Sequence, residues 1–413
     1  MFYKWLLAFK KPSNQLWVTS TYWTIVTVIF VFSLRLGART LKADILPDIT
    51  QETLDSLLNV VASSMLAVST FSLSIMVSAF AAAANSATPR AIDLVMDDRS
   101  TRTAISSFIC AFIYAIIAKT ALGMGFYEQN GRFVLFISTV AVLVYLIVTL
   151  IRWVYTLSQL GRLGNTLTKI HHAAEQSLTQ YRKSPTMGAA LSFQPTLNME
   201  PVKAEHSGYL THIDMQTLQR LAEKSESQIH IDLRPGELIT PDTTLCFVEG
   251  GIEEHKQIQN CFVFSQERTF AQDPAWAFIV LSEAAQRALS PAVNDPGTAI
   301  NVMAIMMSLL LNDTETEQEK AEYDRLSIRP LDCKELIRDG FAPISRDGAG
   351  ILEVNLVMQK VLAGIWRNVP EKEIAEAALT MASQSLERAK QTIAFEPEVA
   401  LLTEKHQTLF KSC

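Results

Sequence analysis

Hydroxyl-bearing residues recur at helical spacing inside one apolar stretch: Ser56, Ser63, Thr70, Ser74 and Ser78, with Asn59 and Asn85 in the same phase. On a wheel advancing about 100° per residue, they fall within an arc about 100° wide. Val60, Ala67, Val77 and Ala81 share that arc, while Leu54, Val61, Met65, Val68, Ile75 and Met76 lie opposite. Ser69 and Ser72 leave the arc, and each can bond back to a carbonyl of its own helix. From Ser56 to Asn85 the stripe runs roughly 43 Å at 1.5 Å per residue, the depth of a bilayer. Polar side chains on one face of a membrane-crossing helix turn toward protein or water and away from lipid. The pattern therefore serves either helix packing, where small residues admit a neighbouring backbone, or the lining of a pore enclosed by several subunits. A pore lined in this way would pass ions or small solutes.

The stripe runs into "NSATPR". Thr88 is a good N-cap and Pro89 a favoured first-turn proline, so a new helix is expected over 89–96. That places Arg90 and Asp93 around the inner opening of a pore, and Arg90 joins the lining candidates. Lys119, inside another apolar stretch, reads as a side chain snorkelling to the headgroups.

A second constellation lies far along the chain, in "QERTFAQDPAWAF" and "ALSPAVNDPGTA". Asp295-Pro296 reads as an N-cap with a first-turn proline, and a buried Asn294 or Asp295 would need dedicated partners. Arg268, Asp273 and Arg287 are the candidates to supply them, as a structural network or as a ligand site. No catalytic residue is assigned, because paired histidines, a nucleophile elbow and a phosphate loop are all missing from this part of the sequence. His171 and Glu175 have a spacing that suits a metal, but no third ligand accompanies them, and the five cysteines share no CxxC spacing. Neither a metal nor a cofactor is expected.

The elements that must position these residues begin with four apolar spans, at about 22–36, 57–84, 104–126 and 133–151. Lys4, Lys10 and Lys11 are spread through "FYKWLLAFKK", which suits a surface helix better than a cleaved signal peptide. Basic residues flank the spans unequally. Lys4, Lys10, Lys11, Arg90, Arg99, Arg102, Arg152, Arg162 and Lys169 stand on one side, against Arg39, Lys42 and Arg132 on the other. This bias predicts a multi-pass protein of the bacterial inner membrane with both termini in the cytoplasm. A net charge of −6 without basic clusters argues against nucleic acid as a partner, leaving the lipid bilayer and further copies of the chain.

Four segments are expected along the chain of 413 residues. Residues 1–160 form the membrane domain and 161–205 a helix and linker, the latter at 183–201. Residues 206–250 form a small β-rich module, in which "SGYLTHI" and "SQIHIDL" read as strands, and 251–413 are mainly helical. The β module is faintly similar to biotinyl and lipoyl carriers but lacks their exposed carrier lysine. The fold class is mainly α: a four-helix transmembrane region followed by a cytoplasmic α+β region of β module and helical bundle.

"QERTFAQDPAWAF…ALSPAVNDPGTA", with "STFSLSIMVSAF" and "SATPR", resembles the bacterial family of predicted membrane proteins called domain of unknown function 2254. The resemblance extends from the first span to about residue 395 and implies amino-terminal membrane spans with a cytoplasmic remainder. It implies no activity and no site residue. Gly297 departs from the pattern, where a bulkier aromatic is expected. Together these readings favour a homo-oligomeric channel or pore-like protein with the second span lining the path. The alternatives are a membrane-anchored cytoplasmic ligand sensor or enzyme, and a scaffold without transport activity.

Overall fold

A computed structural model describes residues 12–38, 47–96, 98–191, 199–249, 255–312 and 320–411. The expected surface helix "FYKWLLAFKK", the loop residues Arg39, Lys42 and Asp44, and positions 192–198 of the expected linker lie outside them. The described chain is mainly helical with a small β region. It divides into two compact units, Met1–Asn85 with Ile92–Asn165, and Ser86–Ala91 with Thr166–Cys413.

The first unit holds α1 (Pro12–Ala38), α2 (Gln51–Ser86), α3 (Ile92–Met96), α4 (Arg99–Gly123) and α5 (Gln129–Gln159). Three stretches, Gln51–Asn85, Ser100–Gly123 and Gln129–Gln159, are long and apolar enough to cross a membrane. The expected span at 22–36 does form a helix, but its described apolar run, Thr21–Leu34, is shorter than a crossing. Among the described residues, three helices rather than four therefore meet the length of the hydrocarbon core.

These helices pack through aromatic and hydroxyl contacts. Phe108 of α4 meets Trp153 of α5 edge to face, with centroids 6.0 Å apart. The Tyr114 hydroxyl lies 2.9 Å from that of Ser138 and 2.8 Å from that of Thr139, so a buried phenol finds partners on the neighbouring helix. Tyr127 donates to the Val31 carbonyl at 2.8 Å, fastening the turn after α4 to α1. Asp98 starts α4 by accepting from the Thr101 amide at 2.9 Å, as its side chain and position require. Leu54, Leu58, Val61 and Met65 bring the first half of α2 into this core. Near the other end of α2, Gly161 passes so close that an added Cβ would lie 3.3 Å from that of Ala82.

The second unit contains α6 (Leu163–Lys183) beyond its first turn, two sheets, and a helical bundle. The strands are β1 (Ala189–Leu191), β2 (Glu200–Lys203), β3 (Gly208–Ile213), β4 (Gln228–Ile231), β5 (Leu238–Ile239), β6 (Thr244–Glu249), β7 (Phe262–Ser265) and β8 (Tyr323–Ile328). One sheet has the order β1-β8-β4-β6-β2 and the other β5-β3-β7. Leu210, Ile213, Ile229, Leu245, Phe262 and Leu326 meet in their common core, joined by Leu218 of α7 (Met215–Lys224).

Two expectations are corrected here. The segment read as a linker supplies β1, and the segment read as mainly helical also supplies β7 and β8, the latter lying parallel between β1 and β4. Ile229 pairs with Leu326, residues nearly a hundred positions apart. Neither β1 nor β8 is marked by a local hairpin signal, because each is stabilised by a distant partner. Gly188, at φ +84°, turns the chain against the Tyr323 ring, where a Cβ would come within 2.9 Å of it.

The remaining helices are α8 (His255–Gln259), α9 (Pro274–Leu289), α10 (Pro296–Leu311), α11 (Lys334–Asp347), α12 (Leu352–Asn368), α13 (Lys372–Thr392) and α14 (Glu396–Leu409). Phe278 of α9 and Phe341 of α11 are fully buried, and Gly340 leaves room for Phe278 and Met306 beside it. Gln359 of α12 is also fully buried. Its amide donates to the Ala382 carbonyl and the Ser385 hydroxyl, and its oxygen faces His406 Nδ1 at 2.7 Å. A buried amide satisfied on both sides fixes the register of three helices.

Candidate functional site

Within the first unit, Ser56, Asn59, Ser63, Thr70, Ser74, Ser78 and Asn85 are all exposed. Val60, Ala67, Val77 and Ala81, which share their arc, are exposed as well. On the opposite side Leu54, Val61 and Met65 are buried, and Val68, Ile75 and Met76 are half-buried. The polar edge of α2 thus turns away from α1, α4 and α5. Several of its hydroxyls bond their own helix one turn back: Ser63 to the Asn59 carbonyl at 2.8 Å, Thr70 to Leu66 at 2.9 Å and Ser78 to Ser74 at 3.1 Å. The side chains of Asn59 and Asn85 are too polar to be satisfied by such back-bonding alone. Leu66, Phe71 and Leu73 border the arc as large exposed apolar side chains.

The other exposed surface of the same unit has different chemistry. Along α5, Ile137, Val144, Ile147, Ile151 and Val154 are exposed, all large and apolar. Hydroxyls do serve helix packing between α4 and α5, through Tyr114, Ser138 and Thr139 and through Ser107 with Tyr145 at 2.8 Å.

Lys119 does not extend away from the protein as a snorkelling side chain would. Its ammonium sits 3.3 Å from Asp55 Oδ2 and donates to Asn59 Oδ1 at 3.2 Å. Asp55 precedes the stripe by one residue, and nothing in its local sequence identifies α4 as the source of its partner. The pair becomes visible only once α2 and α4 lie side by side.

Arg90 belongs to the second unit. Its guanidinium pairs with Glu283 of α9 at 2.9 Å and stands 5.9 Å from the Trp276 ring centroid. Thr88, buried, donates its hydroxyl to Glu283 at 2.8 Å and accepts from the Arg90 amide at 3.3 Å. The expected helix at 89–96 is divided: Pro89–Ala91 form a 3-10 turn and α3 follows.

Arg268, Asp273, Arg287, Asn294 and Asp295 do not form one site. Asp273 caps the start of α9, accepting from the Trp276 amide at 3.1 Å, whereas Arg287 lies near the other end of that helix. At 1.5 Å per residue the two are about 20 Å apart. Asp273 is 2% exposed, and Arg268 forks onto it with bonds of 2.8 and 3.0 Å while lying 5.0 Å from the Trp276 centroid. Burial pushes the Asp273 carboxyl up, to about 6, against the pull of Arg268 and of the Trp276 and Ala275 amides. It is still ionised at neutral pH. Gly236, at φ +103°, completes the enclosure, since a Cβ there would collide with Asp273 and lie 2.7 Å from Arg268 Nη2.

Neither Asn294 nor Asp295 of the "NDP" turn is fully buried: the first is exposed and the second half-buried. Asn294 is exposed at φ 51°, and Asp295 caps α10 through the Thr298 amide at 3.1 Å and its hydroxyl at 2.6 Å. Those bonds hold the Asp295 carboxyl below its usual range. Asp273-Pro274 and Asp295-Pro296 are thus one device used twice, an acceptor at the cap and a proline in the first turn. The first of them, and Gly236 in its Pro-Gly turn, carried a sequence signal that composition alone did not connect to Arg268. Glu175 turns to the Asn312 amide at 3.2 Å, not to His171. Among the described residues no three His, Cys, Asp or Glu side chains gather as a metal cluster would require.

Over 228 residues the chain is 25% identical to an uncharacterised protein of Mycobacterium tuberculosis and equally to one of Mycobacterium bovis. The match takes in 52% of this chain and 43% of each relative, so it spans less than half the length of these curated relatives. No solved structure matches the chain. The family described as Predicted membrane protein (DUF2254) matches residues 13–364, and the chain belongs to that family.

Proposed function

We propose that the protein is a channel or pore-like protein of the bacterial inner membrane, in which several copies enclose a path lined by the exposed arc of α2. Both termini then lie on the cytoplasmic side, with the second unit there. The observation that carries this reading is the contrast between two exposed faces of one bundle. The α5 face offers large apolar groups suited to acyl chains, whereas the α2 arc sets hydroxyls and amides among alanines and two valines, Val60 and Val77, over the depth of a bilayer. Cyclic symmetry would close one arc per copy into a ring, and the flanking Leu66, Phe71 and Leu73 supply apolar contact between copies. The Arg268–Asp273 pair gives no comparable support to an enzyme or sensor, because its two members satisfy each other.

Flux of small ions into liposomes containing the purified full chain tests the reading. Ser74→Leu puts a branched apolar group on the arc and should reduce flux severalfold. Unchanged flux would count against α2 as the lining. A wild-type protein that passes nothing at any voltage, tension or pH would leave the arc as a dry contact between copies.

A further inference from the structure

The arc of α2 carries no ionisable side chain between Ser56 and Asn85. Charge reaches its edge at one place, about one turn inside the Gln51 end, where Asp55 of α2 meets a lysine from another helix. Lys119 of α4 directs its ammonium to Asp55 and to Asn59, and Asn59 belongs to the arc. Asp55 lies at the arc's margin, about 80° from Ser63 on the wheel, while Asn59 is about 40° away. The ammonium, bonded to Asn59, thus reaches the edge of the arc.

Exposure sharpens the point. The Lys119 side chain is 36% exposed and that of Asp55 49%, although both lie within stretches long and apolar enough to cross a membrane. Charged groups at such positions face protein or water, since lipid solvates neither. The pair is therefore not sealed between α2 and α4, and its bond to Asn59 brings the ammonium to the edge of the α2 arc. A wet face explains both facts, and it is the face already read as the path.

We propose that Lys119, oriented by Asp55 and Asn59, is the residue that selects the permeant ion, and that the preferred class is a small inorganic anion such as chloride. The inference rests on the channel reading. Each copy would contribute one ammonium near the same end of the path, and a ring of such groups raises local anion concentration and repels cations. Asp55 holds the lysine in place and moderates its field. The Asn59 Oδ1 is occupied by the ammonium, which leaves the side-chain amide N–H groups as further donors to an anion.

Reversal potentials in a potassium chloride gradient, with the full chain in planar bilayers, test the assignment. The wild type should favour chloride over potassium. Lys119→Cys should lose that preference by about fivefold, the effect of removing one unit charge about 4 Å from an ion in water. Treating the same Lys119→Cys protein with a cationic thiosulfonate should restore the preference, and an anionic one should reverse it, so a folding defect is separated from a charge effect. Asp55→Asn should strengthen the preference for chloride. A conducting wild type that favours potassium, or a reversal potential that stays put after both reagents, overturns the selectivity proposal while leaving the channel standing. A wild type without conductance removes the channel reading and this one with it.

Discussion

Single cysteines distinguish water from lipid on surfaces that are equally open in the isolated chain. The positions are Thr70, Ser74 and Ser78 on the α2 arc, Ile75 on its packed side, and Val144 and Ile147 on α5, in a chain whose five native cysteines are replaced. Val144 is 58% exposed and Ile147 56%, so steric access alone would make them as reactive as the arc positions. Polar thiosulfonates attack the thiolate, and a thiol in water with a pKa of ~8.5 is a few per cent ionised near neutral pH. Desolvation by lipid raises such a pKa by about 3 units, which lowers the thiolate fraction about a thousandfold. Ser74→Cys should therefore react about a thousand times faster than Val144→Cys, with Ile75→Cys in between because it is half-buried against its neighbours. Stopped modification followed by mass measurement on vesicle-embedded protein gives the rates. Arc and α5 positions reacting within about tenfold of one another would refute the distinction between the two faces. Equal rates for Ser74→Cys and Ile75→Cys would refute the one-sided wetting of α2.

Gly236→Ala forces a side chain onto the Arg268–Asp273 fork and into a backbone region that L residues avoid. Strain of about 1–3 kcal/mol, added to a displaced partner of a buried carboxylate, should cost the second unit about 3 kcal/mol or more. A fall in Tm of about 10 °C is expected for a unit of this size, and a change under about 2 °C would contradict the enclosure described here. His406 packs beside Gln359, Lys390, Glu387 and Phe410, and burial, then the Lys390 charge, holds its pKa below 6.5. The unfolded chain therefore binds its proton first, so the stability His406 contributes is present above pH 6.5 and lost as the pH falls through its folded value. Amide exchange in α14 should quicken between about pH 7 and about pH 5 and lose that dependence in His406→Gln. An α14 that opens equally at both pH values would count against it.

Four apolar spans were legible in the sequence, three of which are described as helices of crossing length, and so were the phase of the polar stripe on α2 and the cap of α10, because helical phase and capping are set by residues three or four apart. It also carried the family, through "QERTFAQDPAW", "NDPGTA" and "SATPR". Everything joining residues far apart had to wait for the fold. The phase of Ser63 and Ser74 could be read locally, but which neighbours would cover the other side of α2 could not. The β1 and β8 strands were hidden because their partners are distant along the chain, and strand pairing is stabilised across the sheet rather than along it. The second constellation is joined only in part, through Arg268 and Asp273, for the converse reason. Residues close in sequence, Asp273 and Arg287, are carried to opposite ends of α9 by its rise. Lys119 shows the same division at a single side chain. Its charge in an apolar stretch was plain, but its direction was decided by Asp55 and Asn59, which only the packing of α2 beside α4 brings within reach.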